Sequence, residues 1–144
     1  MFSIFPTARL RPSPFYQAVL DEGLKTAMVY NRMILPASYG SPEDEYWRLM
    51  NGVSMWDVGV ERQVQLTGPD ASKLAQILAP RDLSKCKVGQ GKYVPLCNHN
   101  GILINDPILL KLADAKFWFS IADSDVLTWA QAIAGEIGLN VDII

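Results

Sequence analysis

The sequence predicts an α+β fold in which an antiparallel sheet carries helices on one face. Between residues 62 and 144 the hydrophobic pattern changes in the order strand, helix, strands, helix, strand, which is the order of a ferredoxin-like split βαβ unit. Residues 1–54 contain helices and one extended segment, without enough partners to close a sheet. We therefore predict an incomplete N-terminal portion of a second domain at 1–54, and the α+β domain at 55–144.

The first half of the N-terminal portion contains one predicted helix and one predicted extended segment. The helix runs from Pro14 to Glu22 and is closed by Gly23. The stretch TAMVYNRMIL, residues 26–35, indicates a partly buried extended segment that ends at Pro36.

A second helix is predicted in SPEDEYWRLMNG, residues 41–52. Ser41 is a candidate cap, a proline and three carboxylates suit the first turn, and a glycine ends the pattern. Its apolar face consists of Tyr46, Leu49 and Met50, which we expect to pack in a core.

A strand and a helix follow at residues 62–79. RQVQLTG alternates apolar and polar side chains, as a half-buried strand does. PDASKLAQILA has apolar residues at helical spacing, and Pro80 ends it.

The middle of the second domain reads as a meander of strands. GKYVPLCN and GILINDPILLKL flank NHNG, where Asn100 and Gly101 favour a tight hairpin turn. Pro107 interrupts the second of these strands, which implies an extra strand or a bulge. AKFWFSIA is a further strand.

The C-terminal pattern is a helix followed by a strand. DSDVLTWAQAIAGEIG begins with Asp123 and Ser124 as candidate caps and stops at Gly138. LNVDII then alternates again.

Composition excludes several classes of function. The 144 residues are 49% hydrophobic and 19% charged, and the net charge of -2 gives no pull toward nucleic acid. No uncharged run reaches the roughly 18 residues of a membrane span, and the N-terminus lacks the order of a secretory signal, so we expect a cytoplasmic protein. Two cysteines and one histidine cannot form a four-ligand zinc site, and we predict no metal.

Asp106 is the residue that the pattern leaves without an explanation. It stands beside Pro107 between two aliphatic strands, where an unpaired buried carboxylate would cost several kcal/mol. One interpretation is a turn-associated acid before a proline, a common place for Asp. The other is that a ligand or reaction uses the charge.

Longer motifs resemble a known family. LPASYGSPEDEYWRLMNGVSMWDVGVERQVQLTGPDA resembles the entry segment of the folate-dependent aminomethyltransferases, the T-protein of the glycine cleavage system and its relatives. RDLSKCKVGQGKYVPLCNHNGILINDPILLKL and FWFSIADSDV are more similar to dimethylsulfoniopropionate demethylase-like members. The resemblance covers residues 26–144 and implies tetrahydrofolate as cofactor and a small-molecule one-carbon donor as substrate.

The resemblance also implies site residues. Asp106 falls where the family places a catalytic aspartate against the pterin, and Tyr93 matches an aromatic residue of the same pocket. Ile121 and Asp123 fall in a backbone segment that lines it, although Asp123 is equally explained as a helix cap. Tyr30 falls where demethylase-like members also carry a tyrosine, and the resemblance makes it a candidate substrate-facing residue. Tyr93 and Tyr30 also fit ordinary packing roles.

The type of transfer depends on the residue before Asp106. T-proteins usually have two acids here, whereas this chain has Asn105 and then Asp106. A sulfonium donor leaves as a neutral thioether and needs no proton, so positioning and charge stabilisation suffice. The resemblance with this substitution favours methyl transfer over aminomethyl transfer.

Two hypotheses remain open. In the first, the chain is the N-terminal segment of a tetrahydrofolate-dependent methyl or aminomethyl transferase, too short for independent catalysis because the family completes its site from later segments. In the second, it is a truncated, noncatalytic remnant that acts as a folate-binding module or forms homo-oligomers through an open sheet edge.

Overall fold

The computed structural model describes residues 9–144, which divide into two compact units. The first unit ends at Val60 and the second begins at Glu61, whereas the sequence placed the division between residues 54 and 55. Each unit contains its own sheet.

Within residues 9–60 the first unit has five short elements. They are β1 (Arg11–Pro12), α1 (Tyr16–Asp21), β2 (Thr26–Tyr30), β3 (Met33–Ser38) and α2 (Pro42–Asn51). The central strand is β3, which is parallel to β1 and antiparallel to β2. The segment predicted as one extended stretch is therefore two strands of a three-stranded sheet, and Pro36 lies inside β3 instead of ending it.

The turn between β2 and β3 is the feature that the sequence prediction missed. Asn31 and Arg32 both adopt left-handed backbone conformations, with φ of 50° and 60°. Two successive left-handed residues match the twist of a hairpin, and Asn tolerates this conformation better than most residues. The Asn31 side chain is 2% exposed and donates a hydrogen bond to the Val60 carbonyl at 3.1 Å. No glycine marks this turn, so the pattern showed no break.

Helix α2 begins where the sequence predicted but packs differently. Ser41 occupies the cap position without a side-chain cap bond, and Glu45 instead accepts the backbone N–H groups of Tyr39 and Gly40, each at 2.7 Å. The expectation that its apolar face packs in a core is wrong, because α2 buries none of its residues. The exposed fractions on that face are 51%, 48% and 59% for Tyr46, Leu49 and Met50. Amphipathic spacing identifies an apolar face but not what covers it.

The second unit has two helices and seven strands. They are β4 (Arg62–Thr67), α3 (Ala71–Leu78), β5 (Gly91–Tyr93), β6 (Leu96–Cys97), β7 (Leu103–Asn105), β8 (Ile108–Ala113), β9 (Lys116–Ile121), α4 (Val126–Glu136) and β10 (Asp142–Ile143). The main sheet has the order β10-β4-β9-β8-β5, with every neighbouring pair antiparallel. The predicted split βαβ arrangement is confirmed by β4, β8, β9 and β10, and β5 is the extra strand at one edge.

A separate hairpin, β6–β7, extends from this sheet. Its turn is closed by a hydrogen bond from the Gly101 N–H to the Asn98 carbonyl at 3.0 Å, and Gly101 has φ of 76°. The predicted turn is therefore confirmed. The predicted interruption at Pro107 is confirmed as well, since β7 ends at Asn105 and β8 begins at Ile108.

The core of the second unit lies between the sheet and its helices. Strand β9 alternates strictly, with Phe117, Phe119 and Ile121 buried and the residues between them partly exposed. The apolar stripes of α3 and α4 pack on this face. Helix α3 buries Leu74 and α4 buries Ala130 completely. Period-2 strands and period-3.6 helices thus supply one continuous apolar layer.

Candidate functional site

Asp106 lies in the break between β7 and β8 and is fixed from both sides. Its neighbour Asn105 is 4% exposed and Pro107 is fully buried. The Pro107 carbonyl accepts the Val94 N–H at 3.0 Å, which ties the break to the end of β5. The Asp106 side chain itself is exposed. It therefore avoids the desolvation cost that its apolar surroundings in the sequence suggested.

Tyr93 is the partner of this carboxylate. The pairing of β5 with β8 sets Tyr93 opposite Ile108, and the Tyr93 hydroxyl donates a hydrogen bond to Asp106 Oδ2 at 3.0 Å. This hydrogen bond raises the pKa of Tyr93 above 10.0, and partial burial and the negative charge of Asp106 act in the same direction. Tyr93 is 52% exposed. A neutral phenol and a carboxylate acceptor are thus held side by side at the surface.

A third segment is brought to the same place by the side chain of Asn105. Its Oδ1 accepts the Ala122 N–H at 3.1 Å, while its Nδ2 donates to the Ala122 carbonyl at 3.0 Å and to the Ser124 hydroxyl at 2.7 Å. The segment that contains Asp123 is therefore attached to the strand end that carries Asp106.

Neither Asp123 nor Ser124 occupies the cap position of helix α4. Helix α4 begins at Val126, and Asp125, in the cap position, makes no side-chain cap bond. The Ser124 hydroxyl is instead engaged by Asn105. The sequence prediction of these two caps was wrong because the hydrogen-bonding partner comes from a distant strand.

The other two predicted site residues are Ile121 and Tyr30. Ile121 is 1% exposed and its side chain belongs to the core of the second unit, so only its backbone could face a ligand. Tyr30 belongs to the first unit, where it ends β2 opposite Met33. The second unit thus brings together Tyr93, Asp106 and the Asp123 segment.

Comparison with known proteins gives the family. Residues 15–143 match the GCVT N-terminal domain, which is nearly the whole chain. The chain belongs to the GCVT N-terminal domain family.

Two curated relatives of this GCVT-family chain have named activities. It is 41% identical over 144 residues to dimethylsulfoniopropionate demethylase DmdA of Ruegeria pomeroyi, covering 100% of this chain and 40% of that protein. It is 29% identical over 120 residues to an aminomethyltransferase of Lysinibacillus sphaericus, covering 83% of this chain and 32% of that protein. The chain therefore spans less than half the length of either relative.

A solved structure gives the same architecture. The chain is similar in structure to the glycine cleavage system aminomethyltransferase T from Bartonella henselae, with a TM-score of 0.70 and 20% sequence identity. The match covers 94% of this chain and 38% of that chain. At this identity the match establishes the α+β fold of the GCVT-family chain.

Two residues of the arrangement were not predicted as site residues from the sequence. The Arg81 guanidinium donates a hydrogen bond to the Tyr93 carbonyl at 3.0 Å, which links the loop after α3 to β5. From the sequence, Asn105 was interpreted only as an amide at a position where T-proteins usually have an acid. The signal that could have found it is a polar amide at the end of an aliphatic strand, where it must bond to something.

Other kinds of site have less support in the described part of the chain. Within residues 9–144 no three His, Cys, Asp or Glu side chains are grouped closely enough to hold a metal ion. No helix in that range is long and apolar enough to cross a membrane. A shallow depression lies along α4 and β10, lined by Gln131, Ala134, Gly135, Leu139, Val141 and Ile143. It contains none of the residues predicted for the site.

Proposed function

We propose that this chain is the folate-binding segment of a tetrahydrofolate-dependent one-carbon transferase, with a methylated sulfonium as the preferred class of donor. The observation that carries the proposal is the exposed pair of Tyr93 and Asp106, held at a rigid strand break. Membership of the GCVT N-terminal domain family and the similarity to a demethylase support it.

The residues at the break fit a pterin in three respects. A carboxylate can accept hydrogen bonds from ring N–H groups, and an exposed tyrosine ring can stack on a flat heterocycle. Ile102, Leu103 and Ile108 are 63%, 57% and 42% exposed and offer apolar contact on either side of Asp106 in the chain. When bound, tetrahydrofolate supplies a nucleophilic ring nitrogen that takes up a one-carbon group.

The protein's contribution to the reaction would be orientation and charge. Asp106, fixed between Asn105 and Pro107, would hold the folate ring in one orientation, which is the main requirement of a displacement between two bound partners. Tyr93 would hold Asp106 in turn, because its hydroxyl stays protonated and donating through the neutral pH range. Neither role requires a proton to be moved during transfer.

The class of one-carbon donor follows from the chemistry of Asn105 and Asp106. An aminomethyl donor releases an amine, which needs a proton, and the amide of Asn105 supplies no acidic proton for this purpose. A sulfonium donor releases a neutral thioether and needs none. The pair of Asn105 and Asp106 therefore fits methyl transfer from a sulfonium better than aminomethyl transfer.

Calorimetric titration of tetrahydrofolate into the purified chain tests this proposal. We expect saturable binding that Asp106→Ala weakens about tenfold or more, since a hydrogen bond to a charged group contributes about 1.5–3 kcal/mol. Asp114→Ala is the matched control, because Asp114 is a 93% exposed acid at the other end of β8, paired only with Lys111 among the described residues. It should bind as the unchanged chain does.

Absence of binding by a demonstrably folded chain would refute the proposal, and so would equal weakening by the two substitutions. We expect binding without turnover, because the chain spans only 40% of the demethylase relative. Methyl transfer from dimethylsulfoniopropionate should then be undetectable above a protein-free control. A cytoplasmic location fits this function, with Cys86 and Cys97 both free thiols.

A second candidate function, self-association, is favoured by the surface of the first unit. Its large exposed side chains are Phe15, Leu20, Met28, Val29, Tyr39, Tyr46, Trp47, Leu49, Met50, Val53, Met55, Trp56 and Val58. Its buried apolar side chains are only Val19, Met33 and Val60 among the residues described. In addition, β2 lies at the edge of the three-stranded sheet, a position from which a strand can pair with another chain. Such a surface marks an interaction site.

Sedimentation velocity over a range of concentrations tests this candidate. An oligomer that dissociates on dilution, and that a charge on the apolar surface such as Trp47→Glu disrupts, would support self-association. A monomer at about 100 μM would refute it, since interfaces of standard size hold well below that concentration.

A further inference from the structure

Asn105 is the most fully engaged polar side chain at the candidate site. It is 4% exposed and takes part in three hydrogen bonds, all to the segment Ala122–Ser124. That segment follows β9, whereas Asn105 ends β7, and these two strands belong to different sheets. The side chain therefore continues the contact between these two segments beyond the end of the β8–β9 ladder, whose last pair on this side is Ile108 and Ser120.

The chemistry of these bonds requires an amide. Toward Ala122 the side chain presents one acceptor and one donor, as a peptide group in a neighbouring strand would. A carboxylate could accept the Ala122 N–H but would face the Ala122 carbonyl with a second acceptor. An aliphatic side chain would leave both backbone groups without a partner. Only an amide satisfies both atoms of Ala122 at once.

The position of Asn105 gives this bridge a consequence for the site. Asp106 follows it directly, and Pro107 on the other side is buried and hydrogen-bonded to Val94. With the Asn105 side chain released, Asp106 would still be held through Pro107 and through the pairing of Asn105 with Leu96, but this strand end would no longer be bonded to the Ala122–Ser124 segment. We propose that Asn105 is a positioning residue, which directs the Asp106 carboxylate toward Tyr93 and holds the Ala122–Ser124 segment at the folate site. Its role toward folate rests on the function proposed above.

Asn105→Asp is the informative substitution, with Asn98→Asp as its matched control. Asn98 lies at the opposite end of the same β6–β7 hairpin, and its Oδ1 only accepts, from the N–H groups of Asn100 and Ile102. A carboxylate can replace that role, so Asn98→Asp should leave the site intact. At Asn105 the same substitution places a second acceptor against the Ala122 carbonyl, whereas the Ser124 hydroxyl could still donate to the new carboxylate.

The first measurement is the pKa of Tyr93, obtained by NMR of chains with labelled tyrosine and assigned with Tyr93→Phe. Asn105→Asp would add a negative charge near Tyr93, so this measurement uses Asn105→Leu, which removes the hydrogen bonds of Asn105 without adding a charge. We expect Asn105→Leu to lower the Tyr93 pKa toward 10.0, because the hydrogen bond to Asp106 that raises it is lost. A residue that only stabilised the fold would lower the melting temperature and leave the Tyr93 pKa of the folded protein unchanged. The second measurement is tetrahydrofolate titration, where about a tenfold loss of affinity is expected.

The two readouts separate the two proposals. A lowered Tyr93 pKa in a chain that never binds tetrahydrofolate would support the positioning of Asp106 and refute the proposed function. An unchanged Tyr93 pKa in folded Asn105→Leu would overturn the positioning role, whatever the folate result. If Asn105→Leu does not fold, Ser124→Ala removes one hydrogen bond of Asn105 and should lower the Tyr93 pKa by a smaller amount. No change in Ser124→Ala would then count against the proposal.

Discussion

Replacing Leu109 with alanine should destabilise the second unit strongly. Leu109 is fully buried in β8, the strand that follows Asp106, and lies between β5 and β9 in the sheet. The substitution removes three buried carbon atoms, which costs about 2.4 kcal/mol at about 0.8 kcal/mol for each. The cavity left in a closed core adds to this, so we expect a loss of about 3–4 kcal/mol in the free energy of unfolding.

Urea denaturation followed by circular dichroism measures this loss. Leu112→Ala is the matched control, being the same substitution on the same strand at a side chain that is 38% exposed. It removes less buried surface and leaves no closed cavity, so a loss below about 1.5 kcal/mol is expected. Equal losses in the two variants would refute the assignment of Leu109 to the core face of β8.

Three further predictions concern the site, a turn and the surface. Asp106→Asn should bring the pKa of Tyr93 down toward 10.0, because the charged acceptor is lost; tyrosine absorbance against pH measures it, and an unchanged pKa would contradict the hydrogen bond. Gly101→Ala should lower the free energy of unfolding by about 1–2 kcal/mol in urea denaturation, since the φ of Gly101 is 76°. Gly135→Ala inside α4 should raise the free energy of unfolding by up to about 1 kcal/mol. Effects of the same sign in the two variants would contradict this prediction. Met55→Ser, at a side chain 98% exposed, should change the unfolding free energy by less than about 0.5 kcal/mol, and a larger loss would show that the side chain is covered.

The sign of the Tyr93 effect on stability follows from the raised pKa. A tyrosine with a higher pKa in the folded state than in the unfolded state contributes stability below pH 10, while it is protonated in both. That contribution is lost as the pH rises through the folded-state pKa. It is therefore constant over the neutral range and should appear only as a loss in alkaline solution.

Much of the candidate site was predictable from motifs, but its internal connections were not. Asp106 and Tyr93 were identified through a family resemblance, and their hydrogen bond was not expected. Asp123 and Ser124 were interpreted as helix caps, which is their common local role. Asn105 engages Ser124 across 19 positions of sequence, and no local pattern contains that information.

The sequence by itself determined most elements of the second unit, because each depends on neighbours a few positions away; the exception is GKYVPLCN, predicted as one strand, which forms β5 and β6 in different sheets. Alternation defines β4 and β9, helical spacing defines α3 and α4, Gly101 permits its turn, and Pro107 breaks a strand because it has no N–H. The tertiary structure decided which strands are neighbours. The pairing of β5 with β8 brings Tyr93 to Asp106, and the pairing of β8 with β9 together with the Asn105 side chain brings the Ala122–Ser124 segment beside them. These contacts join residues 13–19 positions apart, where position is set by the packing of the whole sheet and not by local propensity.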